Sequence, residues 1–96
     1  MKYNPQEIGK RIKEVRNTMG LSQEGFAEKL NITRAHLGKI ELGTKNPSID
    51  LLIDIAELAD IYLDYLILGR GSIDSRRIKR GMREVIEMLT DLERLV

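Results

Sequence analysis

Residues 22–42 read SQEGFAEKLNITRAHLGKIEL, a pattern typical of two consecutive short helices. Ser22 and Thr33 each precede a segment whose apolar residues recur at helical spacing. Hydroxyl side chains at such positions commonly accept the first hydrogen bonds of a helix. The stretch therefore predicts two short helices, ending near Leu30 and Leu42, with a short turn between them.

The second of these predicted helices has an unusually small apolar face. Only Leu37 and Ile40 recur at the spacing needed to reach a core, so most of its surface is free to contact another molecule. Two short helices joined by a tight turn match the helix-turn-helix layout, in which the second helix enters the major groove of DNA. The sequence therefore predicts a DNA-binding motif over residues 22–42.

The flanking sequence predicts further helices and no strand. Asn4 and Pro5 suit the start of a first helix, whose apolar stripe consists of Ile8, Ile12, Val15 and Met19. Ser48 is the expected cap of a fourth helix, and a short fifth one is expected over about Tyr62–Leu68. The fold class expected is all-α.

Gly69-Arg70-Gly71-Ser72 is the one linker-like stretch of the chain. It divides the sequence into a helix-turn-helix domain over residues 1–69, a linker over 70–73 and a C-terminal helix over 74–96.

The composition is typical of a folded domain and argues against disulfide-rich, metal-binding and membrane-spanning proteins. The chain has 96 residues, of which 42% are hydrophobic and 32% charged, as is typical of a folded domain. It has no cysteine and one histidine, so we expect no disulfide, no metal site and no cofactor, and a reducing, cytoplasmic location. Neither a signal peptide nor an apolar run long enough to cross a membrane is apparent.

The net charge of +1 conceals an uneven distribution. Residues 1–50 contain nine Lys or Arg and six Asp or Glu, whereas residues 51–69 contain four acids and no base. Residues 70–96 contain seven bases and five acids. A local basic face is what attracts phosphate, so this distribution permits DNA binding without establishing it.

The chain resembles the Cro/phage-repressor helix-turn-helix family, also called the XRE family, over about Ile8–Gly69. The residues that carry the resemblance are Ile8-Gly-Lys-Arg-Ile, Arg16, Gly20-Leu-Ser-Gln, Phe26-Ala-Glu-Lys-Leu, Ile40-Glu41, Gly43, Asn46-Pro47, Leu52 and Ile55-Ala56. The resemblance implies a five-helix, lambda-repressor-like domain, usually dimeric on a palindromic operator and usually a transcriptional repressor. In some members the pair matching Arg16 and Glu41 forms a buried salt bridge.

The resemblance also implies a set of DNA-contacting positions. They comprise phosphate contacts at the starts of the two motif helices, base contacts on the second helix and backbone contacts on the following loop: Gln23, Thr33, Arg34, Ala35, His36, Lys39, Lys45 and Asn46. Arg and Lys can donate to guanine, and an alanine methyl can contact thymine. His36 is equally compatible with a DNA contact and with a solvent-facing position.

The C-terminal helix carries an apolar seam with spacings of four, three, four, three and four: Ile78, Met82, Val85, Leu89, Leu92 and Val96. Such a helix must bury its seam, either on the fourth and fifth helices of its own domain or on a partner subunit. We expect a homodimer interface formed by the residues Ile78, Met82, Val85, Ile86, Leu89 and Leu92.

Together these features predict a sequence-specific DNA-binding transcriptional regulator, a homodimeric repressor that occupies a palindromic operator in double-stranded DNA. Two alternatives are the antitoxin of a toxin–antitoxin pair and a protein-interaction module that does not bind DNA. An enzyme is not expected, because the chain lacks cysteine and a glycine-rich phosphate loop. The sequence given after Gly69 is short, so we expect neither a ligand-sensing domain nor a small-molecule effector.

Overall fold

A computed structural model describes residues 3–70 and Leu89. Over residues 3–70 the chain forms five α-helices and no strand: α1 (Pro5–Thr18), α2 (Gln23–Leu30), α3 (Arg34–Leu42), α4 (Ile49–Ala59) and α5 (Leu63–Leu68). The all-α fold class and the two motif helices are thus confirmed. None of these helices is long and apolar enough to cross a membrane.

Short polar side chains fix the starts of α1 to α4. The Asn4 Oδ1 accepts from two first-turn N–H groups, at 3.1 and 3.2 Å. The hydroxyls of Ser22, Thr33 and Ser48 each accept from the N–H three residues later, at 3.0, 3.1 and 3.1 Å. Each bond satisfies a donor that has no acceptor within its own helix, which is why these sequence positions begin helices.

The fifth helix agrees with the approximate range expected, with its start one residue later. Tyr62 has an extended backbone and precedes α5, which begins at Leu63. Apolar spacing marks the face of a helix but not its first turn, and no short polar side chain caps this one.

The core of the domain gathers apolar residues from all five helices. Its largest fully buried side chains are Phe26, Ile8, Ile12, Leu37, Ile40, Leu52, Ile55, Leu66 and Val15. Helix α1 packs against α3 and α5, while α2 packs against α3 and α4. The motif helices are therefore held from both sides by the rest of the domain.

At Gly9, the backbone of α1 lies against the backbone at the end of α3. A Cβ at Gly9 would lie 2.6 Å from the carbonyl oxygen of Glu41 and would also collide with the Ile40 carbonyl. The glycine thus permits a helix contact that no other residue could make without displacing α3.

Arg16 and Glu41 form the ion pair that the family resemblance implied. The Arg16 Nε lies 2.8 Å from Glu41 Oε2, and its Nη2 lies 3.1 Å from Oε1. The two side chains are 10% and 3% exposed. The Arg16 Nη1 also donates to the carbonyl of Leu21 at 2.9 Å, so the guanidinium connects α1, the start of the motif and α3.

A second arginine, Arg11 on α1, contacts the end of α5. The Arg11 Nε donates to the carbonyl of Leu66 at 2.8 Å, and its Nη2 donates to that of Ile67 at 2.7 Å. The last carbonyls of a helix lack intrahelical donors, so Arg11 acts as a C-terminal cap for α5. Nothing in the sequence pattern predicted this contact, because its partners lie in the first and last helices of the domain.

Most of the predicted C-terminal helix lies outside the described residues, as do linker positions 71–73. The expected interface residues that fall there are Ile78, Met82, Val85, Ile86 and Leu92. Leu89 alone is described; it is helical and 56% exposed.

The buried ion pair should matter far more than an exposed one on the same helix. We expect Arg16→Ala to lower the free energy of unfolding by about 3–5 kcal/mol, because Glu41 would remain buried without its partner. The matched control is Lys10→Ala, which breaks the exposed 3.6 Å pair with Glu7 and should cost less than about 1 kcal/mol. Urea denaturation measures both, and equal losses would contradict the structural role of Arg16.

Two glycines inside helices should respond oppositely to alanine. Gly38→Ala should stabilise the fold by about 0.5–1 kcal/mol, since a Cβ there would meet nothing within 4 Å and alanine favours helix. Gly9→Ala should instead lower the melting temperature, because the Cβ collides with α3. Thermal unfolding of both variants checks this, and stabilisation by Gly9→Ala would show that the helices separate easily.

Candidate nucleic-acid interface

Helix α3 buries one side and presents the other to solvent. Leu37 and Ile40 are 0% and 1% exposed, whereas Arg34, Ala35 and Lys39 are exposed. Leu42, at the end of α3, is also 74% exposed, and before it the helix offers two cations and one methyl group. These are the groups that can read base edges in a major groove.

His36 is half-buried, between the core side of α3 and its exposed side. It therefore lies at the edge of this surface, not at its centre.

Arg34 is the first residue of α3, so its side chain lies beside the N-terminus of that helix. The Thr33 Oγ1 accepts from the His36 N–H at 3.1 Å, which leaves its own hydroxyl proton available to an external acceptor. The N–H groups of Arg34 and Ala35 belong to the first turn, where no intrahelical acceptor exists. Such an end favours an anionic group such as a phosphate.

Gln23 begins α2 and is bonded to the end of α3. Its Nε2 donates to the Glu41 Oε1 at 3.1 Å, so Glu41 receives bonds from both Gln23 and Arg16. An amide nitrogen carries two protons, and the second proton of Gln23 remains for another acceptor. The sequence did not predict this bond, because no local spacing relates positions in two separate helices.

The segment from Lys29 to Ile49 carries a favourable charge distribution for an anionic partner. It contains four Lys or Arg and a single acid, Glu41. Because Glu41 is buried against Arg16, the exposed surface of α3 and of the loop after it bears no carboxylate. The ion pair therefore neutralises the one acid of α3 and of the loop after it.

The loop after α3 begins with a tight turn. Gly43 has φ +80°, and both the backbone N–H and the hydroxyl of Thr44 donate to the carbonyl of Lys39, at 3.0 and 3.1 Å. Lys45 and Asn46 follow and are exposed. The predicted positions Arg34, Ala35 and Lys39 thus share the exposed side of α3, with Lys45 and Asn46 directly after it.

Among the described residues, no group of three His, Cys, Asp or Glu side chains could hold a metal ion.

The chain is similar to known proteins in both sequence and structure. A family model described as helix-turn-helix, HTH_3, matches residues 12–66. The HTH-type transcriptional regulator ImmR of Bacillus subtilis (strain 168) is 32% identical over 93 residues, which cover 93% of this chain and 72% of that regulator. The immunity repressor protein of Bacillus phage phi105 is 27% identical over 88 residues, which cover 92% of this chain and 61% of that repressor.

Among solved structures, the master regulator for biofilm formation SinR from Bacillus subtilis, in complex with DNA, is similar with a TM-score of 0.57. It is 35% identical, and the match covers 62% of this chain and 95% of that one. The matched family model spans the motif helices and the Arg16–Glu41 pair described above. The chain therefore belongs to the HTH_3 helix-turn-helix family, the XRE type of DNA-binding transcriptional regulators.

Proposed function

We propose that this protein is a sequence-specific repressor that binds a palindromic operator as a homodimer and acts by occupancy. The observation that carries the proposal is the exposed side of α3, with Arg34, Ala35 and Lys39 beside an uncovered helix N-terminus. The similarity to the phi105 immunity repressor favours a repressor role. No catalytic step enters this mechanism.

In this mechanism two kinds of contact have separate tasks. The exposed Arg34 and Lys39 donate to base edges, and the Ala35 methyl contacts thymine, so these residues select the sequence. Gln23, Thr33 and Lys45 donate to phosphates, which positions the helix without reading bases. Because Glu41 holds Gln23 by a 3.1 Å bond, the amide is already oriented before DNA arrives.

Asn46 is a further phosphate donor in this proposal, since its exposed amide follows Lys45 on the loop. His36 is half-buried at the edge of the exposed side of α3. In this proposal its ring contacts a base or a phosphate only if the DNA groove closes around α3.

Dimerisation supplies the affinity that a single recognition helix lacks. A second contact becomes intramolecular once the first has formed, which raises its effective concentration. Two α3 helices related by a twofold axis must lie about 34 Å apart to reach successive major grooves. In this proposal the dimer forms through the C-terminal seam that includes Leu89. When the dimer is bound to the operator, it blocks access of polymerase.

Arg34 and Lys45 are a matched pair for testing base against phosphate contact, since each variant removes one exposed cation. On an operator selected from random duplex DNA, Arg34→Ala should weaken binding by about 1–3 kcal/mol and relax preference at one base pair per half-site. Lys45→Ala should weaken binding to operator and random DNA equally and reduce the salt dependence. Equal losses on both DNAs for Arg34→Ala would remove that residue from the base-reading set.

Removing residues 74–96 tests the role of the C-terminal segment in assembly. The truncated chain keeps α1 to α5 and their core, so these five helices should remain folded. It should sediment as a monomer at micromolar concentration, where the full chain sediments as a dimer, and should lose tight operator binding. Operator affinity unchanged by the truncation would show that dimerisation, if it occurs, uses another surface.

A further inference from the structure

The outward side of α4 is apolar at its centre and acidic at its edges. Ile49 and Ile53 lie one turn apart on this side and are 68% and 38% exposed. A shallow groove continues from Ile53 towards the start of α5, and its lining includes Ala56, Glu57 and Leu63. We refer to this surface, formed by Ile49, Ile53, Ala56, Glu57 and Leu63, as the α4–α5 face.

The charged side chains that α4 and α5 themselves contribute are all acidic, although Lys29 of α2 and Glu57 line one neighbouring groove. Residues 51–69 contain four acids and no base, and Glu57 on the α4–α5 face is exposed. An apolar groove among acids favours a partner that is itself apolar along one side and basic beside it.

The C-terminal segment of this chain has that chemistry. Residues 74–83 contain five bases and a single acid, and the seam of Ile78, Met82, Val85, Leu89 and Leu92 runs through and beyond them. The segment follows the end of α5 after a short linker, and a helix over residues 74–96 is several turns long, enough to span the groove.

Leu89 itself is not covered by its own domain. This residue lies in the middle of the seam and is 56% exposed in the isolated chain. An apolar residue at such a position is expected to be covered in the working protein, and a second copy is the partner that a homodimer supplies.

We propose that residues 74–96 of one copy dock on the α4–α5 face of the other, and that the exchange is reciprocal. Leu89 and its seam neighbours bury Ile49 and Ile53, while the basic start of the segment lies near the acids of residues 51–69. A twofold dimer built in this way uses the same two surfaces of each subunit and leaves no complementary surface open. The inference rests on the proposed homodimer and specifies its geometry.

Pairing of the two seams with each other is the competing geometry. A coiled coil of about three heptads is short, and a parallel pair would place the two basic segments side by side. Docking on the α4–α5 face instead brings unlike charges together, which favours that arrangement.

The absence of cysteine makes the geometry directly testable by crosslinking. Leu89→Cys and Ile53→Cys are prepared as separate full-length proteins, mixed, allowed to exchange subunits and treated with a short bismaleimide. We expect a mixed crosslinked dimer, identified by mass spectrometry. Since each molecule carries one thiol, a mixed product can only join two copies. The control replaces Ile53→Cys by Glu28→Cys, an exposed position on α2, and should give little product.

Two results would overturn the proposed geometry. Crosslinking of Leu89→Cys with itself in place of the mixed product would show that the seams pair with each other. An internal crosslink in the doubly substituted chain, without a mixed product, would place the segment on its own domain. Neither result affects DNA recognition by α3, which operator binding by the same variants reports separately.

Charge reversal gives a second measurement that does not depend on crosslinker reach. Glu57→Lys should raise the dimer dissociation constant on the order of tenfold in low salt, because it places a cation beside the basic segment. Glu28→Lys makes the same charge change on α2 and should leave the constant nearly unchanged. Equal effects of the two variants in sedimentation would show that only net charge matters, which contradicts docking on this face.

Discussion

The buried Arg16–Glu41 pair is the interaction on which the rest of the domain depends. With Arg16 on α1 and Glu41 near the end of α3, the pair fixes the recognition helix to the helix that precedes the motif. Its bonds to Leu21 and from Gln23 extend the network to the start of α2. In the described part of the chain no buried side-chain polar atom lacks a partner, so burial of these charges is fully compensated.

The same pair determines the electrostatics of the side of α3 that is proposed to face DNA. A carboxylate exposed on α3 would repel phosphate, but Glu41 is 3% exposed and neutralised by Arg16. Burial of Glu41 thus has two effects: it joins α1 to α3, and it keeps a negative charge off the exposed side of α3. Gly9 complements it two turns earlier on α1, because its missing side chain lets the helices approach closely enough for the ion pair to form.

The helices of the domain differ in the charge that they carry. The exposed side of α3 and the loop after it are basic, since they carry Arg34, Lys39 and Lys45. The charged residues among 51–69, on α4 and α5, are all acids. A DNA duplex and an acidic surface repel each other, so α4 and α5 are suited to a protein partner and not to the operator. Arg11, which caps α5 from α1, holds the end of that helix where the C-terminal segment leaves the domain.

Caps and helical spacing are local properties, so the helices, the motif and the exposed character of Arg34, Ala35 and Lys39 could be predicted from the amino-acid sequence. Family resemblance supplied the Arg16–Glu41 pair. Only the tertiary structure showed that Gln23 bonds to Glu41, that Arg11 caps α5 and that Gly9 touches the carbonyls of α3. Each of these contacts joins two different helices that are distant along the chain, and no periodic pattern encodes such a pairing. They exist only once packing has brought the helices together.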